Sequence, residues 1–142
     1  MLKGISSLLT PELLKILMEM GHGDDLVIGD GNFPAASHAQ RLVRLDGHGV
    51  PAVLDAVLSV FPLDQYVERP AGIMAVVPGD PVVPVIWDTY KELVAKHEGK
   101  PVEFEEIERF AFYERAKKAY AIVATGESAQ YANIILKKGC VL

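Results

Sequence analysis

Five short apolar runs place the main constraint on this chain. They are DDLVIGD (24–30), RLVRL (41–45), AGIMAVV (71–77), AYAIVATGE (119–127) and YANIILKKG (131–139). Each is too short for a buried helix and has the length of a strand. Segments with helical spacing stand before the first run, between the second and third, and between the third and fourth. Strands alternating with helices imply an α/β fold: a compact, layered single domain with a mixed sheet flanked by helices. The last two runs, joined by a Gly-containing connection, are expected to pair as an antiparallel hairpin.

The helices carry their own punctuation. Thr10 can cap the first, Pro11 suits its first turn, and Glu12 favours the positive end of its dipole. Leu13, Leu14, Ile16, Leu17, Met18 and Met20 offer it a broad buried face, and Gly21 is a plausible stop. The pattern VPAVLDAVLSVF predicts a second helix over 51–61, closed by Pro62. WDTYKELVAKHEG (87–99) predicts an amphipathic helix ending at Gly99. IERFAFYERAKKA holds a short strand or turn and then a helix, whereas GNFPAASHAQ reads as a loop. Lys137 and Lys138 read most simply as a solvated strand end.

Length and composition narrow the function. A chain of 142 residues makes one domain, here with half its residues hydrophobic and a mean hydropathy of +0.20. Subunit contacts are one way to cover so much apolar surface, so an oligomer is expected. The net charge of −5 argues against nucleic acid as a partner, because a phosphate-backbone binder needs a basic face. No apolar run reaches the ~18–20 residues that span a bilayer, and the N-terminal leucines are broken by Pro11, Glu12, Lys15 and Glu19. The expected compartment is the cytoplasm, with no membrane partner. Cys140 is the single cysteine, which leaves no intramolecular disulfide and no cysteine-based zinc cluster.

Groups able to do chemistry collect just outside the element ends, where α/β folds place their sites. His22 stands between Gly21 and Gly23, which strip away neighbouring side chains and open the ring to a ligand. Imidazole as a class titrates near pH ~6.5, the range useful for proton transfer. A helix C-cap is the competing role for it. Asp30 in DGN has the form of a turn residue bonding its own backbone. His22, Asp24, Asp25, His38 and His48 lack the spacing of a metal site, and no cofactor motif (neither GxGxxG nor a P-loop) is present. From Arg109 to Asn133, donors and aromatic rings crowd together in the mixture that binds sugars: Arg109, Tyr113, Arg115, Tyr120, Tyr131 and Asn133. Within that stretch Phe110, Phe112 and Tyr113 read as core or interface rather than as sugar platforms.

MLKGISSLLTPELLKILMEMGHGDD, DGNFPAASHAQ and RFAFYERAKKAYAIVATGESAQYANIILKKG together resemble the fucose mutarotase / ribose pyranase family. The resemblance spans essentially the whole chain as one sugar mutarotase domain, residues 1–142, and RFAFYERAKKA is similar to the L-fucose branch. It implies a cofactor-free isomerase without a metal, assembled as a ring-like homodecamer of two stacked pentamers, with sites between subunits. It places the catalytic histidine on His22 and substrate contacts on Asp30, Arg109, Tyr131 and Asn133. Tyr120 is implied to lie near the site, contacting the sugar or assisting proton transfer. Gly31 departs from the family pattern, where alanine is commoner, and 62–104 is poorly specified.

That chemistry suits the residues. Interconverting α and β anomers protonates the ring oxygen and deprotonates the anomeric hydroxyl, so one group that gives and takes protons suffices. Three other readings compete: pyranose–furanose exchange on D-ribose, a non-catalytic sugar-binding module, and a hydrolase with a His/Asp centre.

Overall fold

The computed structural model describes residues 1–142. Along the chain run α1 (Pro11–Glu19), β1 (Asp25–Gly29), α2 (Ala35–His38), β2 (Leu42–Leu45), α3 (Val50–Leu58) and β3 (Ala71–Met74). They are followed by α4 (Ile86–Glu98), β4 (Phe104–Ile107), α5 (Arg109–Lys118), β5 (Ala121–Thr125) and β6 (Ile134–Lys137). The six strands form one sheet in the order β2-β5-β1-β6-β3-β4. Five of them are parallel, and β6 alone runs against its neighbours β1 and β3. The expected mixed α/β sheet is therefore present.

The terminal hairpin is not. β1 lies between β5 and β6, pairing Val27 with Ile122 on one side and with Ile135 on the other. β1 and β5 bury residues on both faces, which belongs to strands inside a sheet rather than at its edge. The connection 126–133 is long enough to pass over one strand, so burial decides the order.

The sheet separates two apolar layers. Leu26 and Ile28 of β1 point to the side of α1, α3 and α4, with Leu13, Leu54 and Tyr90. Val27 points to the other side, toward Phe112 and Ala116 of α5 and Ala35 of α2. The alternation of strand side chains thus gives a helix–sheet–helix sandwich.

Local departures have local causes. α1 is capped by Thr10, whose hydroxyl accepts the Leu13 N–H at 3.2 Å. Met18 is 85% exposed, because the 3.6-residue period turns it away from Leu13, Ile16 and Leu17. The helix ends before Gly21, with Met20 as cap. Its last turn is held by Lys138, whose Nζ donates to the Leu17 and Met20 carbonyls at 2.7 and 2.6 Å. That lysine is a cap from another element. Lys137 is likewise engaged, paired with Asp25 at 3.0 Å. The segment GNFPAASHAQ contains one helical turn, α2. β4 sits at the sheet edge, so FEEI can be a strand without the apolar run of an interior one. The 87–99 helix stops at Gly99 as expected, in the left-handed region at φ 75°.

Tyr90 ties this core to the sheet end where polar groups collect. It is fully buried, and its hydroxyl donates to the Ala132 carbonyl at 2.7 Å. Burial pushes its phenol far above the ordinary range. Tyr90→Phe leaves that carbonyl unpaired, and urea unfolding should register a loss of about 1–2 kcal/mol. Unchanged stability would mean that the bond contributes nothing to holding residues 131–133.

Candidate functional site

The carboxyl ends of β1, β3 and β4 and the amino end of β6 meet on one side of the sheet, where they open onto a cavity of about 240 Å³. Four of the predicted residues line it: Asp30, Arg109, Tyr131 and Asn133. Asp30 follows β1 and Asn133 precedes the antiparallel β6, so strand pairing brings residues 103 apart in sequence into contact. The Asp30 N–H donates to Asn133 Oδ1 at 2.8 Å, leaving the Asn133 amide nitrogen free to donate. Asp30 Oδ1 accepts the Asn32 N–H at 3.0 Å. The turn reading of Asp30 is right as geometry, and the same turn aims its carboxylate at the cavity. A Cβ on Gly31 would lie 3.1 Å from the Glu127 carbonyl, so glycine eases a crowded approach there.

Arg109 opens α5. Glu108 caps that helix, accepting the Phe110 and Ala111 N–H groups at 3.0 and 2.9 Å. One helical turn on, Tyr113 Oη accepts from Arg109 Nε at 3.3 Å. The Tyr113 ring packs against Phe33 and His38, with centroids 5.8 and 5.6 Å away. Tyr113 packs against the core cluster of Phe33 and Phe112, as expected, and also lines the cavity. Of its aromatic neighbours, Phe112 is core and Phe110 is exposed.

Tyr131 has a backbone that tyrosine rarely adopts. Its φ of 55° lies in the left-handed region, at a cost of order 1–3 kcal/mol. The surroundings enforce it. Trp87 Nε1 donates to the Tyr131 carbonyl at 2.7 Å, the Tyr131 hydroxyl donates to Asp80 Oδ2 at 2.6 Å, and Tyr90 holds the next carbonyl.

His22 is at the opposite end of the sheet. It stands before β1 and Asp30 after it, and the five residues between Asp25 and Gly29 span about 13 Å at ~3.3 Å per residue. Gly23, at φ 88°, turns the chain, and its N–H donates to the Lys138 carbonyl at 2.8 Å. His22 Nε2 donates to Asp64 Oδ1 at 2.9 Å, and its ring lies 5.3 Å from that of Tyr66. Asp64 is held in place by its own N–H, donated to the Lys137 carbonyl at 3.0 Å. Burial pushes the Asp64 carboxyl up, but the Tyr66 N–H, His22 and Lys137 outweigh burial and hold it below the usual carboxylate range. An ionised Asp64 only accepts, which assigns the proton to Nε2 and leaves Nδ1 as the basic atom. The imidazole is 46% exposed.

Tyr120 does not join the cavity. It precedes β5, beside Asp25, so it lies at the His22 end. There its hydroxyl donates to Glu19 at 3.1 Å and its ring lies 3.8 Å beneath the Arg41 guanidinium. Asp64 is the residue that sequence reasoning passed over, and Tyr113 was named there without a place at the site. The spacing of Arg109 and Tyr113 puts both on one helix face and was a usable signal. Nothing local marks Asp64, which reaches His22 through the pairing of Leu63 with Lys138 and its own bond to the Lys137 carbonyl.

The Asp30 carboxyl sits in the opposite electrostatic situation. Burial raises it above the usual value, and its bonds to the backbone of Asn32, Ala132 and Phe33 recover only part of the difference. A raised folded-state value means that the fold favours the protonated form. This group therefore adds stability as pH falls through its folded value and withdraws it as pH rises above. Asp30→Asn keeps one oxygen for Asn32 and removes the charge. Its melting temperature at neutral pH should equal or exceed that of the parent and vary less with acid. Sugar affinity should drop by about 10–100-fold, the worth of a charge-assisted hydrogen bond. A markedly lower melting temperature with binding intact would make Asp30 purely structural.

Comparison with known proteins gives this geometry its context. The sequence matches the RbsD / FucU transport protein family over residues 3–141. It is 51% identical over 139 residues to the L-fucose mutarotase of Actinobacillus pleuropneumoniae, covering 98% of this chain and 96% of that one. The fold superposes on the crystal structure of FucU from Bifidobacterium longum with a TM-score of 0.96, at 56% identity over 99% of this chain and 100% of the other. It superposes equally completely, with a TM-score of 0.93 at 50% identity, on a fucose mutarotase from Streptococcus pneumoniae in complex with L-fucose. Sequence and fold agree along their whole length, and the chain belongs to the RbsD / FucU family.

Proposed function

We propose that this protein is an L-fucose mutarotase, a cofactor-free isomerase of the cytoplasm whose site is completed between two copies of the chain. The relatives named above supply the activity and the sugar. The observation that carries the reading is the separation of an oriented, half-exposed imidazole from a polar sugar-sized cavity by the length of β1. A sugar in the cavity of one subunit meets a proton carrier only if a neighbour brings its His22 end there. The apolar load of the sequence points the same way, and the homodecamer of the family resemblance is the assembly proposed.

In that arrangement Asp30 accepts from sugar hydroxyls, while Arg109 and the Asn133 amide donate to them. Tyr131 and Tyr113 flank the ring. His22 Nδ1 takes the proton of the anomeric hydroxyl, and the imidazolium delivers a proton to the ring oxygen, so the hemiacetal opens to the aldehyde. The C1–C2 bond rotates, the ring closes on the other face, and the protons return. Asp64 keeps the imidazole in one tautomer and supports its positive charge while it holds both protons. Tyr120, at the His22 end, is placed to act only from that side.

Two measurements test this. Saturation-transfer NMR on the anomeric protons should show exchange accelerated more for L-fucose than for D-ribose. His22→Ala should lower the acceleration by about 10²–10⁴-fold, or to the spontaneous rate if that is reached first. The variant should remain folded, because α1 is capped by Met20 and Lys138 rather than by His22. Equal exchange for both sugars would move the assignment to pyranose–furanose chemistry. Binding without acceleration would make the protein a sugar-binding module. Light scattering should return about ten subunits, the number implied by the family's ring assembly. A monomer at micromolar concentration contradicts the shared site.

A further inference from the structure

The segment 75–85 has no regular structure, yet it is fastened at the cavity. It leaves the sheet at Ala75, whose N–H donates to the Ile107 carbonyl at 2.7 Å, and it ends at α4. Between these points Gly79, at φ 90°, turns the chain so that the Asp80 N–H reaches the Val77 carbonyl at 3.0 Å. Asp80 then spends its two oxygens differently. Oδ1 accepts the Val82 N–H at 3.1 Å and closes the turn, while Oδ2 accepts the Tyr131 hydroxyl at 2.6 Å. The second contact crosses 51 residues of sequence to a side chain of the cavity wall.

A phenol has one proton to give. With that proton committed to a carboxylate, Tyr131 Oη faces the cavity only as an acceptor. One lone pair receives the Val77 N–H at 3.4 Å, a long contact, and the other is open to a ligand. We infer that Asp80 is a positioning residue: it fixes the polarity and place of the Tyr131 hydroxyl, so that Tyr131 reads a sugar hydroxyl by accepting a hydrogen bond from it. The recognition code of the cavity is then divided. Asp30 and Tyr131 accept, and Arg109 and Asn133 donate, so the sugar must present hydroxyls of matching direction. This inference rests on the proposed function of the site and names a residue that does not itself do the chemistry.

The test has one arm that needs no sugar. With tyrosine labelled at the ring carbon that bears the hydroxyl, NMR can follow the Tyr131 phenol with pH. The Asp80 bond, and then burial, hold that phenol above its ordinary value. Asp80→Asn should bring it down toward that value, and an unmoved titration overturns the inference. The second arm is a double-mutant cycle on anomer exchange. Asp80→Ala should raise KM about tenfold with kcat nearly unchanged, the worth of one charge-assisted contact. In a Tyr131→Phe background, where no hydroxyl remains to orient, the same change should alter KM by less than about twofold. Equal losses in both backgrounds would show that Asp80 acts only by shaping its own loop, and would overturn the inference. A wild-type protein that fails to accelerate exchange at all refutes the functional reading instead, and the phenol titration still decides the role of Asp80.

Discussion

The extended backbone of β1 is the constraint on which the arrangement depends. An extended five-residue strand cannot shorten, and β1 is locked on both edges by β5 and β6. In the function proposed above, its two ends carry the two halves of the chemistry, His22 before it and Asp30 after it. The apolar packing that fixes β1 in the middle of the sheet therefore also fixes these halves apart. In a single copy of the chain, the His22 imidazole and the cavity beside Asp30 lie at opposite ends of the sheet.

Each half is prepared by the core rather than by the ligand. At the His22 end, β6 continues into Lys137 and Lys138, which secure Asp25, the end of α1 and the turn at Gly23. The same backbone positions Asp64 through Leu63, so the imidazole acquires its tautomer from the end of an interior strand. At the other end, Trp87 and Tyr90 of α4 hold consecutive carbonyls, which lets Tyr131 keep a left-handed backbone and Asn133 face Asp30. The opposed shifts of the two aspartates follow from these settings. The donors around Asp64 hold its carboxyl below the usual carboxylate range, whereas burial raises that of Asp30. Holding polar groups in prearranged directions costs folding stability and spares reorganisation on binding.

The sequence made the layered fold legible because its interior strands β1, β3, β5 and β6 are buried on both faces and so read as apolar runs. Gly99 and Thr10 marked helix ends through chemistry that is local. What failed was long-range. The hairpin between β5 and β6 was the natural inference from adjacency, but burial of β1 outweighed it. The strand FEEI was hidden because an edge strand needs no apolar run. Among site residues, Asp30, Arg109, Tyr131 and Asn133 converge as expected, since each adjoins an element end on one side of the sheet. Tyr120 was placed near the site by the family resemblance, and the parallel pairing of β5 with β1 sets it at the His22 end rather than beside the cavity of its own chain. Asp64 had no local signature at all, being recruited to His22 across 42 residues.

Mixed assemblies test the central claim most directly. In the proposed shared site, subunits carrying His22→Ala lack the proton carrier, and subunits carrying Arg109→Ala lack a donor of the cavity. Either variant alone should be nearly inactive. Co-assembled in equal amounts, they should regain about one quarter of the parent exchange rate, because one neighbour pair in four brings an intact His22 to an intact cavity. Assemblies shown by mass spectrometry to contain both subunits, yet no more active than either variant alone, would place the whole reaction within one chain and contradict the account.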